Sequence, residues 1–258
     1  MEYTIKESGN FKYIEEGEGE VLLLLHGLFG ALSNFGGIIE GFKTNYKVVV
    51  PVLPIYEAPI REISVNYLMN YTVDFLKHKG IYEHKMHVMG NSLGGHVALF
   101  LALEHPNIIK SLILTGSSGL FENTLGDTFP KRQSYDFIQR KTEYTFYDPN
   151  LATKDLVDNL YEIVNNNEKG IRVVAVARSA IRDNVENKLH NITAPTLLVW
   201  GKQDRITPPF VGEDFHKGII NSQLYFINRC GHAPMMERPG EFNIILRNFL
   251  NGVKNYNL

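Results

Sequence analysis

The sequence predicts an α/β protein: a mostly parallel central sheet with helices on both faces. Two observations predict it. Short apolar runs, bounded by Gly or Pro, recur at residues 21–25, 48–53, 86–89, 112–115, 196–200 and 223–227. Most do not alternate apolar with polar, which suits strands buried on both faces. Segments of helical period lie between them, and strands alternating with helices imply parallel βαβ units.

Taken in order, residues 66–79 read as a helix with Leu68, Tyr71, Thr72, Phe75 and Leu76 on one side. Residues 93–104 read as another, stopped by His105-Pro106. Phe242, Ile245, Leu246, Phe249 and Leu250 mark a terminal amphipathic helix that enters through Pro239. The interval 119–194 is too long for one crossover. Within it, Leu156, Val157, Leu160, Tyr161 and Val164 have helical spacing, and 171–181 reads as helix despite its β-branched residues. The expected organisation is a core of residues 1–119 and 191–258, with a mostly helical cap, residues 120–190, inserted before the penultimate strand.

Composition narrows the function. The chain has 258 residues, with Lys+Arg 26 against Asp+Glu 28 and a net charge of −2. That balance argues against a nucleic-acid partner, which calls for a basic surplus. Cys230 stands alone, excluding a disulfide framework and a cysteine-rich zinc site. No signal peptide is read at the N-terminus, and the longest aliphatic run, 21–25, is far short of the ~18 residues of a membrane span. A soluble, cytoplasmic protein with no membrane partner is the expectation. No His/Asp/Glu set has metal-ligand spacing and no phosphate loop is visible, so neither metal nor cofactor is predicted.

The strongest motif is Gly90-Asn91-Ser92-Leu93-Gly94-Gly95, which follows an apolar strand and opens a helix. A G-x-S-x-G elbow needs that context: the turn is crowded, its flanks must be small, and the serine hydroxyl is left exposed at the helix N-terminus. A nucleophilic serine needs a base and a group to orient the base. His232 follows the last strand run and Asp204 follows the run ending at Trp200, so both fall beyond strand carboxyl ends, where α/β sheets build sites. The chain order Ser92, Asp204, His232 is the one the elbow fold uses.

Acyl transfer also needs two N–H donors aimed at the developing oxyanion. The backbone N–H of Leu93 is one candidate. In His26-Gly27-Leu28-Phe29-Gly30, the N–H of Leu28 is the second, with Phe29 as the fallback and as a substrate-binding residue. His26 reads either as a second base or as a histidine that hydrogen-bonds locally to hold this loop. The local role is favoured, because a second base would be redundant. Cys230 reads as packing rather than as a second nucleophile. The aromatics Phe121, Phe129, Tyr135, Phe137, Tyr144, Phe146 and Tyr147 are candidates for a pocket lining or for simple packing of the insert.

Together these motifs resemble the α/β-hydrolase superfamily across nearly the whole chain: the HG loop at 26–27, GNSLGG at 90–95, WGKQDRITP at 200–208 and GHAPMMERP at 231–239. The resemblance implies the α/β-hydrolase fold. Serine at the elbow, in place of aspartate, argues against haloalkane dehalogenase or soluble epoxide hydrolase chemistry. Asn91, the segment LTGSSG at 114–119 and Arg178 are similar to meta-cleavage-product hydrolases, which break C–C bonds in vinylogous diketones. The resemblance implies substrate-binding roles for Asn91 and Arg178. The chain departs from that group in carrying HGLFG for HGxGPG and Ala233 for a tryptophan after the histidine. It also carries PVLPIYE at 51–57 where many superfamily members have a DLPGHG-like stretch. HGLFG is similar to carboxylesterases and thioesterases.

The leading expectation is therefore a serine hydrolase of small to medium acyl esters or thioesters, working through a Ser92–His232–Asp204 triad and an acyl-enzyme. The alternatives are a C–C bond hydrolase of the meta-cleavage-product type, and a ligand receptor that keeps the triad with negligible turnover.

Overall fold

The computed structural model describes residues 3–30, 35–123 and 131–255. The element order is β1 (Lys6–Ser8), β2 (Phe11–Glu16), β3 (Glu20–Leu25), α1 (Gly36–Phe42), β4 (Tyr46–Pro51), α2 (Val65–His78), β5 (Met86–Asn91), α3 (Leu93–Glu104) and β6 (Ile109–Thr115). There follow α4 (Tyr135–Thr145), α5 (Lys154–Asn165), α6 (Asn167–Arg182), β7 (Thr196–Gly201), α7 (Pro209–Gly218), β8 (Ser222–Ile227), α8 (Pro234–Glu237) and α9 (Pro239–Asn255).

Each apolar run of the sequence became a strand of one eight-stranded sheet, in the order β1-β2-β4-β3-β5-β6-β7-β8. β4, β3, β5, β6, β7 and β8 pair in parallel, while β1–β2 and β2–β4 are antiparallel. In β3, Leu22 to Leu25 are all fully buried, each worth ~1.5–3 kcal/mol relative to exposure. Alternate residues serve opposite faces. Leu23 and Leu25 join Leu68, Phe75, Val97 and Phe215, whereas Leu22 and Leu24 join Ile38, Phe42, Phe242 and Leu246. Hence α2, α3 and α7 cover one face, and α1 and α9 the other, as the pattern predicted. The sequence reading did not find β1 and β2. They form the antiparallel edge, where Lys6, Glu7 and Lys12 face water and no continuous apolar run is needed.

The helices begin where local chemistry allows. Ser64 accepts from Tyr67 N–H to cap α2, Thr153 accepts from Leu156 N–H to cap α5, and Asn166 accepts from Glu168 and Lys169 N–H to cap α6. Between β6 and β7 the described residues hold α4, α5 and α6, joined to the rest through specific polar contacts. Val65 N–H donates to Ser179 Oγ (3.0 Å), and Ser179 Oγ–H donates to Asp183 (2.7 Å). His96 Nε2–H donates to the carbonyl of Asp183 (3.0 Å). His96 is fully buried, and burial pulls its pKa down to about 4, so it is neutral.

Candidate active site at the strand carboxyl ends

β5 runs into α3 through Ser92, whose backbone stands at φ 54°, ψ −121°. That conformation is sparsely populated for a residue with a Cβ and stores ~1–3 kcal/mol. The surrounding packing holds it. Ser92 N–H donates to Thr115 O (3.2 Å), and Ser118 N–H donates to Ser92 O (3.2 Å). The flanking glycines are required for space. A Cβ on Gly90 would lie 2.2 Å from Gly94 O, and one on Gly94 would lie 2.0 Å from Leu25 O. The helix can therefore press against β3 only with glycine at both positions.

Asp204 leaves β7 in a turn that satisfies its carboxylate from within. Ile206 N–H (2.9 Å) and Thr207 N–H (3.0 Å) donate to Oδ1, and Thr207 Oγ1–H (2.9 Å) donates to Oδ2. So fixed, Asp204 meets His232 Nδ1 at 2.9 Å through Oδ2 and 3.2 Å through Oδ1. A carboxylate only accepts, so Nδ1 carries the proton and Nε2 is the free acceptor. Burial acts to lower the His232 pKa, but the charge and hydrogen bond of Asp204, together with the charges of Glu122 and Glu237, hold the imidazole above its usual range.

The His232 loop is held from two sides. Glu237 accepts from Gly231 N–H (2.9 Å), Ala233 N–H (3.2 Å) and, across the structure, Tyr147 N–H (2.8 Å). His232 N–H donates to Thr145 O at the end of α4 (3.0 Å). Gly116, at φ 50°, lets β6 end against the imidazole; a Cβ there would lie 2.7 Å from His232 O.

The loop after β3 has a resolved tautomer. Leu53 N–H can only donate, and it meets His26 Nε2 at 3.0 Å. His26 Nδ1 therefore carries the hydrogen and donates to Gly27 O (2.9 Å), which also accepts from Gly30 N–H (3.0 Å). Burial lowers the His26 pKa, against the pull of that hydrogen bond. His26 is thus committed to its loop and has no nitrogen left to act as a base. With Gly27 C=O fixed by two donors, the planar peptide fixes the Leu28 N–H in the opposite direction. That N–H donates to no other described residue. Tyr56, from the PVLPIYE stretch, donates to Leu28 O (2.8 Å) and holds the next peptide. This stretch was not assigned a task from sequence; here it steadies the loop at both ends.

Ser92, His232, Leu28, Phe29, Leu93, Asn91 and Arg178 line one cavity of about 370 Å³. Its other walls are mainly aliphatic, with Leu156, Leu160, Val173, Val176 and Ile181 from α5 and α6. Asp204 stands behind His232 and is buried. Asn91 differs from a simple substrate ligand: its Nδ2 donates to Thr115 O (3.0 Å) and His232 O (3.2 Å), which uses both amide hydrogens to tie the elbow to the His232 loop. Arg178 is solvent-exposed, so it stands at the mouth of the cavity. Of the candidate aromatics, Phe146 lines the cavity, Phe121 and Tyr144 are largely exposed, and Phe129 lies outside the described residues. Cys230 is buried with its thiol pKa pushed up by burial, an inert packing residue. Among the described residues, no group of three or more His, Cys, Asp or Glu could hold a metal ion, and no helix is long and apolar enough to cross a membrane.

Sequence reasoning missed Glu122. It lines the same cavity, half-buried, where burial raises its carboxyl pKa and the charge of His232 opposes the rise. An isolated acid in a loop has no motif by which sequence could reveal it.

A family profile described as alpha/beta hydrolase fold matches residues 20–239. A 2-hydroxy-6-oxo-6-phenylhexa-2,4-dienoate hydrolase of Comamonas testosteroni is 27% identical, over 92% of this chain and 90% of that protein. A 2-hydroxy-6-oxononadienedioate/2-hydroxy-6-oxononatrienedioate hydrolase of the same species is 29% identical, over 96% of this chain and 94% of that protein. The crystal structure of MGS-MChE2, an alpha/beta hydrolase enzyme from the metagenome of lagoon sediments at Mar Chica, Morocco, is similar with a TM-score of 0.80 and 38% identity, covering 96% of this chain and 98% of that one.

Proposed function

Since the chain belongs to the α/β-hydrolase fold family and is a hydrolase, we propose that it works by nucleophilic attack of Ser92 on a substrate carbonyl. The observation that carries this reading is one cavity lined by both a strained elbow serine and the imidazole of a carboxylate-bound histidine. In the proposed mechanism His232 Nε2 takes the Ser92 proton and returns it to the leaving group. Asp204 keeps the tautomer and stabilises the imidazolium, and Leu28 and Leu93 N–H receive the oxyanion. Residues 120–190 act as a cap, since α5 and α6 supply the aliphatic wall over Ser92.

For the bond broken, the relatives favour a C–C bond in a 2-hydroxy-6-oxo-dienoate type of substrate. A carbon leaves readily only when a conjugated carbonyl can take its electron pair, which such a vinylogous diketone provides. Arg178 at the cavity mouth would meet the substrate carboxylate. A second reading, hydrolysis of carboxylic esters or thioesters, is favoured by the aliphatic walls and by Ala233, which leaves the space beside His232 open.

The test is labelling with a fluorophosphonate, read by intact mass, followed by two substrate classes. One adduct on the wild type and none on Ser92→Ala is expected. Bleaching of a coloured dienolate supports the C–C reading; turnover of p-nitrophenyl esters without bleaching replaces it with the ester reading. Absence of any adduct on the wild type overturns the nucleophile assignment and leaves the ligand-receptor alternative.

A further inference from the structure

The cavity has two charged side chains besides His232, and they stand differently. Arg178 is exposed at the mouth, while Glu122 is half-buried and the charge acting on it is that of His232. No other described residue gives the Glu122 carboxyl a hydrogen bond or an ion pair. Yet the chain on both sides of it is anchored. Asn123 N–H donates to Ile206 O (2.7 Å) and Asn123 Nδ2 to Arg205 O (2.6 Å), so this segment is tied to the loop that carries Asp204. The ring of Phe121 packs on Phe210 with centroids 5.4 Å apart. The Glu122 oxygens are not among the buried polar atoms that lack a partner, so they reach the water of the cavity and stand open to the polar end of a bound molecule.

We propose that Glu122 sets the charge selectivity of the reacting end of the cavity: it admits neutral or hydrogen-bond-donating groups beside Ser92 and His232 and excludes carboxylates from that position. An acidic substrate must then lie one way round, with its carboxylate toward Arg178 at the mouth and its scissile carbonyl at Ser92. This inference rests on the Ser92 nucleophile proposed above and holds for either bond class. It makes Glu122 a specificity-determining residue that handles no proton of the reaction.

The experiment is the rate of Ser92 labelling by three short-chain alkyl fluorophosphonates that end in a methyl, a carboxylate or an ammonium group. On the wild type the carboxylate probe should label at least about tenfold more slowly than the methyl probe, and the ammonium probe faster than the carboxylate probe, as a like charge at close range in a cavity demands. Glu122→Gln should bring the three rates to within about threefold of each other, and Glu122→Asp should keep the wild-type order. Thermal melting confirms that each variant is folded. An unchanged methyl-to-carboxylate ratio in folded Glu122→Gln overturns the role of Glu122 while Ser92 remains the nucleophile. If no probe labels the wild type, the Ser92 reading itself fails and takes this inference with it.

Discussion

Replacing Asp204 by asparagine tests the proposed mechanism at its most quantitative point. The Oδ2–Nδ1 distance of 2.9 Å puts the centres of carboxylate and imidazolium ~4 Å apart. At an effective dielectric of about 20, unit charges at that separation attract by ~4 kcal/mol. The imidazolium exists only after Ser92 has given up its proton, so this attraction lowers the barrier and not the ground state. At ~1.4 kcal/mol per decade it is worth about three decades in kcat. The amide can also turn its NH2 toward Nδ1 and stabilise the wrong tautomer, which brings the expected loss to ~10³–10⁴-fold. The pH profile should move as well. His232 acts as a base only when neutral, so activity falls as pH drops through its pKa. In the wild type that pKa is raised, because Asp204, with Glu122 and Glu237, outweighs burial. In Asp204→Asn burial acts without that charge, so the acid limb should shift to lower pH while the plateau falls. The fold should survive, since Ile206 and Thr207 N–H still find an oxygen at Oδ1. The assay is the pH dependence of kcat/KM on whichever substrate turns over. A loss smaller than about tenfold, or an acid limb that stays in place, would refute the reasoning.

Other variants probe the supports. Tyr56→Phe removes the donor on Leu28 O; kcat should fall about tenfold with KM little changed, and stability by only ~1 kcal/mol, measured by steady-state kinetics and melting. Glu237→Gln weakens a carboxylate that accepts from three backbone N–H groups; a loss of ~2 kcal/mol, roughly 4–8 °C in Tm, is expected by calorimetry. Gly94→Ala drives a methyl to 2.0 Å from Leu25 O, so the variant should lose more than ~3 kcal/mol and with it Ser92 labelling; a normally melting, labelled variant contradicts the packing argument.

The legible parts of the chain were those where one physical demand dominates. Strands buried on both faces require unbroken apolar runs, so β3 to β7 were visible; β8, the far edge, showed through its apolar residues although its burial alternates, and β1 and β2 at the other edge were not found. The amphipathic α5 and α6 were visible inside the insert, whereas α4, with only Ile138 and Thr142 buried, carried too little period to find. At the site, Ser92, Asp204 and His232 stood out because each follows a strand within a motif. Glu122 and Tyr56 did not. Their positions depend on how distant loops meet, through Asn123 on Arg205 and through Tyr56 on Leu28, and single-chain pattern contains nothing of those meetings. Asn91 was visible but its two donors proved to serve the protein, which only the fold could reveal.

The grip of the inserted segment on the base loop has a consequence for how such a chain can change over generations. Thr145 holds His232 through a carbonyl, and Tyr147 meets Glu237 through an amide. On the inserted segment's side both contacts are main-chain atoms, which nearly every amino acid supplies alike. Side chains along α4, α5 and α6 can therefore be exchanged, and the cavity reshaped for a new molecule, while the same two main-chain handholds keep the imidazole where it stands.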